Sequence, residues 1–270
     1  MQKLTPIHCD KVWGYEKWLA STHSAGLQES FFSALGGPYP LLVKIIKADS
    51  SLSVQVHPDD RTALSLEGDG NIGKTECWYV LAAEPNSQLV YGLNGSYTAE
   101  ELHKAIDSGT LENCLNVVPV KKGDFIFIPA GTVHAIGGGL TLLEVQQSCD
   151  ITYRLYDWGR PRELHIEKSL VSIKNSPLDK IKPFKGEFFC PYFSLEKRDI
   201  NGGWSIFVSG EKKPENCVLI FALEGNGSIR TGGKNERIAQ NDIFALLPGE
   251  KCTIEGHLSV MKITASEAEA

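Results

Sequence analysis

The sequence contains no apolar run of the ~18 to 20 residues that a membrane-spanning helix requires. Basic residues are not in excess, because 27 Lys and Arg stand against 33 Asp and Glu and give a formal net charge of -6. No CxxC pair occurs among the seven cysteines. The first residues lack the charged and apolar regions of a signal peptide. We therefore expect a cytoplasmic protein with reduced thiols and with neither a membrane nor a nucleic-acid partner.

The length and composition suit a soluble globular protein. The 270 residues, with 42% hydrophobic and 22% charged side chains, can form one large all-β domain or two smaller ones without disulfide support.

The most informative stretch spans residues 123–160 and reads GDFIFIPAGTVHAIGGGLTLLEVQQSCDITYRLYDWGR. Its aromatic and β-branched segment, residues 125–128, is stopped by Pro129 and Gly131, a pattern that predicts a core strand followed by a turn. His134 then lies just past the turn, at the start of the next strand.

From residue 142 the pattern alternates, which predicts one strand with a wet face and a core face. The polar positions are Glu144, Gln146, Ser148, Asp150, Thr152 and Arg154. An antiparallel strand that shows its polar side to solvent would give the same pattern, so alternation alone does not identify a site.

Other segments complete the predicted elements. Strands are expected at residues 41–46, 51–57, 77–81 and 88–91, after an irregular N-terminal segment of about 40 residues. Thr98 and Glu101 form a capping box that predicts a helix. A second helix is expected over residues 163–173, with Leu164, Leu170 and Val171 on its apolar side.

An internal repeat predicts two similar β units. Residues 123–131 (GDFIFIPAG) resemble residues 241–249 (NDIFALLPG). Such a repeat suggests two double-sheet jelly rolls, which we place at residues 1–175, with helical additions, and at residues 176–270. In the second unit Cys252 takes the place of His134 and Val218 that of Glu76, so only the first unit keeps polar ligands.

Four residues form a possible metal site. Gln55 and His57 lie two apart on one predicted strand and therefore share a face, while Glu76 and His134 come from other strands. Two imidazoles, one carboxylate and one amide suit Zn²⁺ better than Mg²⁺ or Ca²⁺, which prefer more carboxylates. The competing interpretation is that His57 is a surface residue and His134 a core residue.

Four motifs give the chain its resemblance to a known family. They are SVQVHPDD (residues 53–60), GKTECWYVL (73–81), GDFIFIPAGTVHAIGGG (123–139) and EVQQSCDITYRLYDWGR (144–160). Together and in this order, they resemble the type I mannose-6-phosphate isomerases in their short bacterial form, which are zinc enzymes of the cupin superfamily. Cys149 departs from the serine common in the family, and the helical insertion of longer members is absent.

The resemblance implies a fold, a reaction and a set of residues. The implied fold is all-β with a few helices, as two cupin-type jelly-roll barrels of which the second is degenerate. The implied reaction interconverts mannose 6-phosphate and fructose 6-phosphate through a zinc-stabilised cis-enediol. One Zn²⁺ per chain would be held by Gln55, His57, Glu76 and His134. Lys74, Asp150 and Arg154 would act in the active site, and Ser53 and Arg160 would lie near the substrate phosphate.

Several alternatives are compatible with the sequence. Arg154 is a poor base because a guanidinium stays protonated, so Asp150, Glu144, Lys74 or a bound water could carry the proton. A different metal-dependent cupin enzyme, such as an oxygenase, or a non-catalytic sugar-phosphate sensor would share the fold. We expect a small-molecule sugar phosphate as partner and a monomer or weak homodimer.

Overall fold

The computed structural model describes residues 1–266, and within them it is mostly β. The strands in chain order are β1 (Gln2–Lys3), β2 (Ile7–Lys11), β3 (Gly14–Ala20), β4 (Leu41–Ala48), β5 (Val54–Val56), β6 (Glu76–Ala83), β7 (Gln88–Leu93), β8 (Leu115–Pro119), β9 (Asp124–Ile128), β10 (His134–Ile136), β11 (Leu140–Gln147), β12 (Tyr153–Tyr156), β13 (Lys182–Pro183), β14 (Glu187–Phe189), β15 (Phe193–Phe207), β16 (Val218–Thr231), β17 (Lys234–Ala239), β18 (Ile243–Leu246) and β19 (Lys251–Ala265).

Four α-helices interrupt the strands in the described residues. They are α1 (Glu29–Leu35), α2 (Asp60–Glu67), α3 (Ala99–Asp107) and α4 (Ile166–Ser172), and 3-10 turns lie at Ser24–Gly26, Leu111–Cys114 and Pro214–Asn216. None of these helices is long and apolar enough to cross a membrane.

The strands form three sheets. A five-stranded sheet has the order β12-β5-β10-β7-β8, and a seven-stranded sheet has the order β13-β9-β6-β11-β4-β3-β2. The third sheet has the order β1-β18-β16-β19-β15-β14, with β17 paired to β16. The neighbouring strands around the site, such as β5 with β10 and β6 with β11, are antiparallel.

The first two sheets share an apolar core. At one end of it the side chains that face inward become polar. Trp78 and Val80 of β6, Leu142 of β11 and Ile136 of β10 belong to one buried cluster. Val80 pairs with Leu142, then Trp78 with Glu144. Glu76 pairs with Gln146 one step further along. Because residues two apart share a face, the inner surface changes from apolar to polar within two residue pairs.

The described residues divide into two compact units that interleave along the chain. One comprises Met1–Ile7, Trp18–Val43 and the residues from Phe184 onward, and the other comprises His8–Lys17 and Lys44–Pro183. The proposed functional boundary between residues 175 and 176 stays a prediction.

The repeated segments have the same local structure. Asp124 starts β9 and accepts a hydrogen bond from the backbone N–H of Lys121 at 2.9 Å, and Asp242, just before β18, accepts one from Ala239 at the same distance. Each strand then runs into a Pro-Gly-containing turn.

The predicted continuous strand from residue 142 to 155 is wrong. Strand β11 ends at Gln147 and β12 begins at Tyr153. The Gln146 amide donates to the carbonyls of Gln147 at 2.8 Å and Cys149 at 2.6 Å, and these bonds turn the chain. The predicted wet face is also wrong here, because Glu144 and Gln146 are almost fully buried.

Three other predictions need correction. The strand expected at residues 51–57 is limited to Val54–Val56, and the N-terminal 40 residues hold three strands and α1 in place of an irregular segment. Helix α4 begins at Ile166, because the backbone of His165 is not helical (φ -115°, ψ 54°) and its N–H donates to the Arg154 carbonyl at 2.8 Å. Leu164 and Val171, expected on its apolar side, are exposed.

Candidate metal centre and active site

Three strands bring the predicted ligands together. His57 directly follows β5, Glu76 opens β6 and His134 opens β10. His134 pairs with Gln55, so the two side chains lie on the same face of the five-stranded sheet. His57, Glu76 and His134 offer donor atoms that all lie within 4.8 Å of one another.

The two imidazoles are oriented by backbone carbonyls. His57 Nδ1 donates to the Ile151 carbonyl at 2.8 Å, and His134 Nδ1 donates to the Thr132 carbonyl at 2.8 Å. A carbonyl can only accept, so the hydrogen sits on Nδ1 and the lone pair on Nε2. Both Nε2 atoms lie 3.5 Å from a Glu76 oxygen, His57 from Oε2 and His134 from Oε1.

The centre is buried and keeps both histidines neutral. Burial lowers the pKa of His134 to about 4. Burial, followed by the charge of Lys74, also lowers the pKa of His57 well below its ordinary value. Neutral imidazole is the form that binds a metal ion.

The donor set fits a bound cation. His57 Nε2 and Glu76 Oε2 are buried and have no hydrogen-bond partner among residues 1–266. Buried polar atoms of this kind are costly unless they are paired or coordinate a metal. Two Nε2 lone pairs and one carboxylate converging on one point match the ligands that Zn²⁺ takes in proteins.

Gln55 lies at the same centre, with the nitrogen of its side-chain amide facing His134. Its Nε2 is 3.2 Å from His134 Nε2, and its Oε1 accepts from Ser53 Oγ at 3.2 Å. A half-turn of the amide exchanges these two atoms and brings the oxygen toward the histidines. Gln55 is therefore placed to serve as a fourth ligand, while the Ser53 hydroxyl is engaged with Gln55.

Lys74 is a buried cation against the carboxylate ligand. Its Nζ lies 3.3 Å from Glu76 Oε2. Burial lowers the pKa of Lys74, but the carboxylates of Glu76 and Glu144 outweigh burial and raise it above the ordinary value. Lys74 is therefore protonated at neutral pH when no metal ion is bound.

Glu144 is a buried carboxyl group close to this centre. Burial raises its pKa to about 7. Its Oε1 has no hydrogen-bond partner among the described residues, and the nearest cation is Lys44 Nζ at 3.8 Å. A carboxyl group with a pKa near 7 can both take up and release a proton at neutral pH.

Lys44 also lies near this centre, and the sequence does not predict it there. Its Nζ donates to Gln146 Oε1 at 2.8 Å, and the residue is almost fully buried on β4. In the sequence it appears as one polar residue in an apolar run, which is typical of a solvent-facing position. A buried, charged lysine on the inner face has no sequence signal of its own.

The structure brings Arg154 near the centre and leaves Asp150 at the surface. Arg154 pairs with Gln55 on the strand opposite His134, so all three share one face. Arg154 Nη1 donates to the Glu163 carbonyl at 2.7 Å, and Arg154 Nε has no partner among the described residues. Asp150 is exposed in the connection between β11 and β12.

Arg160 lies in the turn after β12. Its Nη2 donates to the Ser51 carbonyl at 2.8 Å and to Asp157 Oδ1 at 2.7 Å. The turn is thereby attached to the segment that leads into β5 and Gln55. The predicted roles of Ser53 and Arg160 at a phosphate stay predictions.

A mostly β fold with a buried His-Glu-His cluster between two sheets is the arrangement of a β protein that could hold a metal ion. Comparison with known proteins specifies it further. Residues 5–80 match the catalytic domain of type I phosphomannose isomerases. The chain is 38% identical over 233 residues to mannose-6-phosphate isomerase ManA of Bacillus subtilis, covering 80% of this chain and 70% of that protein. The chain belongs to the type I phosphomannose isomerase family.

Solved structures agree with this assignment. The crystal structure of a mannose 6-phosphate isomerase from Bacillus subtilis matches with a TM-score of 0.84 and 29% identity, covering 97% of this chain and 98% of the other. A mannose 6-phosphate isomerase bound with zinc and yttrium shares the fold, with a TM-score of 0.71 and 15% identity, covering 98% of this chain and 99% of the other.

Proposed function

We propose that this chain, a mannose-6-phosphate isomerase, interconverts mannose 6-phosphate and fructose 6-phosphate at a centre formed by Gln55, His57, Glu76 and His134, with one Zn²⁺ per chain. The observation that carries the proposal is the convergence of His57 Nε2, His134 Nε2 and the Glu76 carboxylate within 4.8 Å. The buried His57 Nε2, which has no hydrogen-bond partner among the described residues, supports a cation at this point.

The reaction moves a proton between two neighbouring carbons through a cis-enediol. A bound zinc ion supplies Lewis-acid stabilisation of the charge that develops on the sugar oxygens. Lys74 adds a fixed positive charge beside Glu76. Arg154 presents an unpaired Nε near Gln55 and can stabilise the same developing charge.

Glu144 is the proton carrier that the geometry favours over Asp150. Its burial raises its pKa to about 7, which suits a general base and acid at neutral pH. Asp150 is exposed, so it is better placed to help at the mouth of the site, for example in ring opening.

The substrate phosphate would lie at the Arg160 end of the site. Arg160 is partly exposed and is bound to Ser51, four residues before Gln55. An extended chain of four residues spans at most ~14 Å, which keeps the arginine within one site with the metal ligands. Ser53 lies between them and would reach the phosphate only by releasing Gln55.

We further infer that the three sheets form two jelly rolls, of which only the one with His57, Glu76 and His134 is catalytic. The matching turns at Asp124 and Asp242 support a duplicated unit. We expect a monomer or weak homodimer with a sugar phosphate as its partner.

A coupled assay tests the proposed function. Purified protein loaded with zinc should form fructose 6-phosphate from mannose 6-phosphate, and His134→Ala should lose this activity. His103→Ala is the matched control, because His103 is partly exposed on α3 and pairs with Asp107. Absence of turnover in the parent protein, or equal activity in both variants, would overturn the proposal.

A further inference from the structure

A buried carboxylate lies between two arginines in the segment after β12. Asp157 Oδ1 accepts from Arg160 Nε at 3.1 Å and from Arg160 Nη2 at 2.7 Å. Arg162 Nε donates to Oδ2 at 2.5 Å, and its Nη2 donates to Oδ1 at 2.7 Å. The Asp157 side chain is 1% exposed, whereas those of Arg160 and Arg162 are 22% and 29% exposed.

Both arginines bind Asp157 through the same edge of the guanidinium group, and in both the Nη1 atom takes no part in this contact. Each guanidinium contacts Asp157 through Nε and Nη2. No described residue, over positions 1–266, accepts a hydrogen bond from Nη1 of Arg160 or of Arg162. Each guanidinium therefore retains two N–H donors while its orientation is already fixed.

The backbone fixes the position of this pair relative to the metal ligands. The Arg160 N–H donates to the Asp157 carbonyl at 2.9 Å. The Trp158 indole donates to the Leu52 carbonyl at 2.6 Å, and Arg160 Nη2 binds the Ser51 carbonyl at 2.8 Å. The turn is thus attached at two consecutive residues of the segment that continues into β5.

The local charge is positive. Arg154, Arg160 and Arg162 contribute three positive charges against one negative charge from Asp157, and the exposed Glu163 adds a second carboxylate beside Arg154. Burial, and next the positive charge of Arg162, lowers the pKa of Arg154. Burial raises the pKa of Asp157, but hydrogen bonds from Arg162 and Arg160 outweigh it and hold the pKa below the ordinary value. Asp157 is therefore ionised, and a net positive charge remains.

We propose that Arg162 joins Arg160 in binding the phosphate group of the substrate, and that Asp157 is a positioning residue that orients both guanidiniums for it. The proposal rests on the proposed function. A phosphate monoester carries about -1.5 to -2 charges and three acceptor oxygens, which match two guanidinium donors and the positive surplus. Asp157 also offsets the repulsion between the two guanidinium groups and orders two long side chains before the substrate binds.

A purely structural role for Asp157 makes a different prediction. If the carboxylate only closes the turn, its loss would lower stability and would reduce activity on every sugar to the same extent. A positioning role confines the loss to ligands that carry a phosphate.

The experiment measures binding of inorganic phosphate to the zinc-loaded protein by calorimetry, together with kcat/KM for mannose 6-phosphate and for mannose. The variants are Arg162→Gln, Arg162→Lys and Asp157→Asn. The matched control is Arg230→Gln, because Arg230 is half exposed and pairs with Glu255 on the other compact unit.

We expect Arg162→Gln to weaken phosphate binding and to lower kcat/KM for mannose 6-phosphate by about 10- to 150-fold, the effect of one charge-assisted contact. Activity on mannose should stay within twofold of the parent. Arg162→Lys should recover part of the loss, because it restores the charge without the fork. Asp157→Asn should weaken phosphate binding similarly, and its melting curve shows whether it is folded.

Two results would overturn the inference. One is phosphate binding by Arg162→Gln within twofold of Arg230→Gln, which decides the matter even if Asp157→Asn does not fold. The other is an equal loss on both sugars. A parent protein without isomerase activity would instead refute the proposed function, and the calorimetry would still show whether the arginine pair binds phosphate.

Discussion

At the scale of single residues, two backbone carbonyls determine what the metal centre can bind. Ile151 and Thr132 each accept the Nδ1 hydrogen of a histidine, so both Nε2 lone pairs face Glu76. This second contact fixes the tautomer and ring orientation of each histidine. The two carbonyls therefore orient the histidine nitrogens that could hold a metal ion, without lying among those donor atoms themselves.

The buried histidines should make the metal-free protein sensitive to acid. The pKa of His134 falls from 6.5 to about 4 on folding, so between these values the unfolded chain binds more protons than the folded one. Stability is then fully present above pH 6.5 and is lost as pH falls toward 4, by about 1 kcal/mol per pH unit for this histidine. Urea unfolding of parent and His134→Asn protein at pH 5 to 7 measures it.

Comparing the parent with His134→Asn separates the contribution of His134 to the pH dependence of stability from the contributions of its neighbours. His57 acts in the same direction, whereas the raised pKa of Glu144 makes stability fall as pH rises from 4.5 to about 7. We expect a flatter stability curve for His134→Asn than for the parent. Parallel curves would show that His134 is not buried in its neutral form.

Arg154→Lys should lower kcat by about 100-fold or more and change KM little. A planar guanidinium aimed at developing charge is not replaced by an ammonium ion, and loss of such a donor costs ~2.7 to 4 kcal/mol in related cases. Steady-state kinetics on mannose 6-phosphate measures it. A kcat within threefold of the parent would place Arg154 outside the reacting atoms.

Glu144→Gln should remove the acidic limb of the pH profile of kcat/KM and reduce the rate by ~10² to 10⁴. Its carboxyl group has a pKa raised to about 7 by burial, and the positive charge of a metal ion would shift it lower. Asp150→Asn, an exposed carboxylate, is the control and should retain the limb. Retention of the limb in Glu144→Gln would assign the proton to another group.

At the scale of elements, local signals were predictable and long-range ones were not. The Thr98 capping box on α3 is confirmed, with the Glu101 N–H donating to Thr98 Oγ1 and the Thr98 N–H donating to Glu101. These contacts lie within three residues, so the sequence alone contains them. The break between β11 and β12 depends on the Gln146 side chain, which also accepts from Lys44 more than 100 residues away.

The residues of the site likewise divide into those that the sequence predicts and those that depend on long-range contacts. His57, Glu76 and His134 were predicted because motifs preserve their spacing, and the structure brings them together. The position of Lys44 at the site was not predicted, because a lysine on an apolar strand is usually exposed. Its burial follows from carboxylate and amide groups on β11, and nothing near Lys44 in the sequence records that pairing.

Thr98→Ala should lower the free energy of unfolding by ~0.5 to 2 kcal/mol, the cost of losing an N-cap. Thr98 caps α3 and is not among the proposed metal ligands or substrate contacts. The value of kcat/KM should therefore not change. Urea unfolding and the coupled assay measure the two quantities. A large loss of activity at unchanged stability would show that α3 contributes to the site.

At the scale of the whole molecule, a repeated β segment leads to a possible metal ligand in only one of its two copies within residues 1–266. The turn at Asp124 leads to His134, whereas the equivalent turn at Asp242 leads to Cys252, which is buried. The unit that contains Asp242 has an apolar cluster with Val218 and Cys252 among its members. We therefore expect a single metal ion per chain.

Titration of metal-free protein with Zn²⁺, with bound metal and isomerase activity measured on the same samples, tests the central claim most directly. We predict that activity rises in proportion to bound zinc and stops rising at one ion per chain. His57→Ala should bind zinc much more weakly, and His103→Ala should match the parent. Full activity without bound metal, or activity that continues to rise toward two ions per chain, would contradict the account.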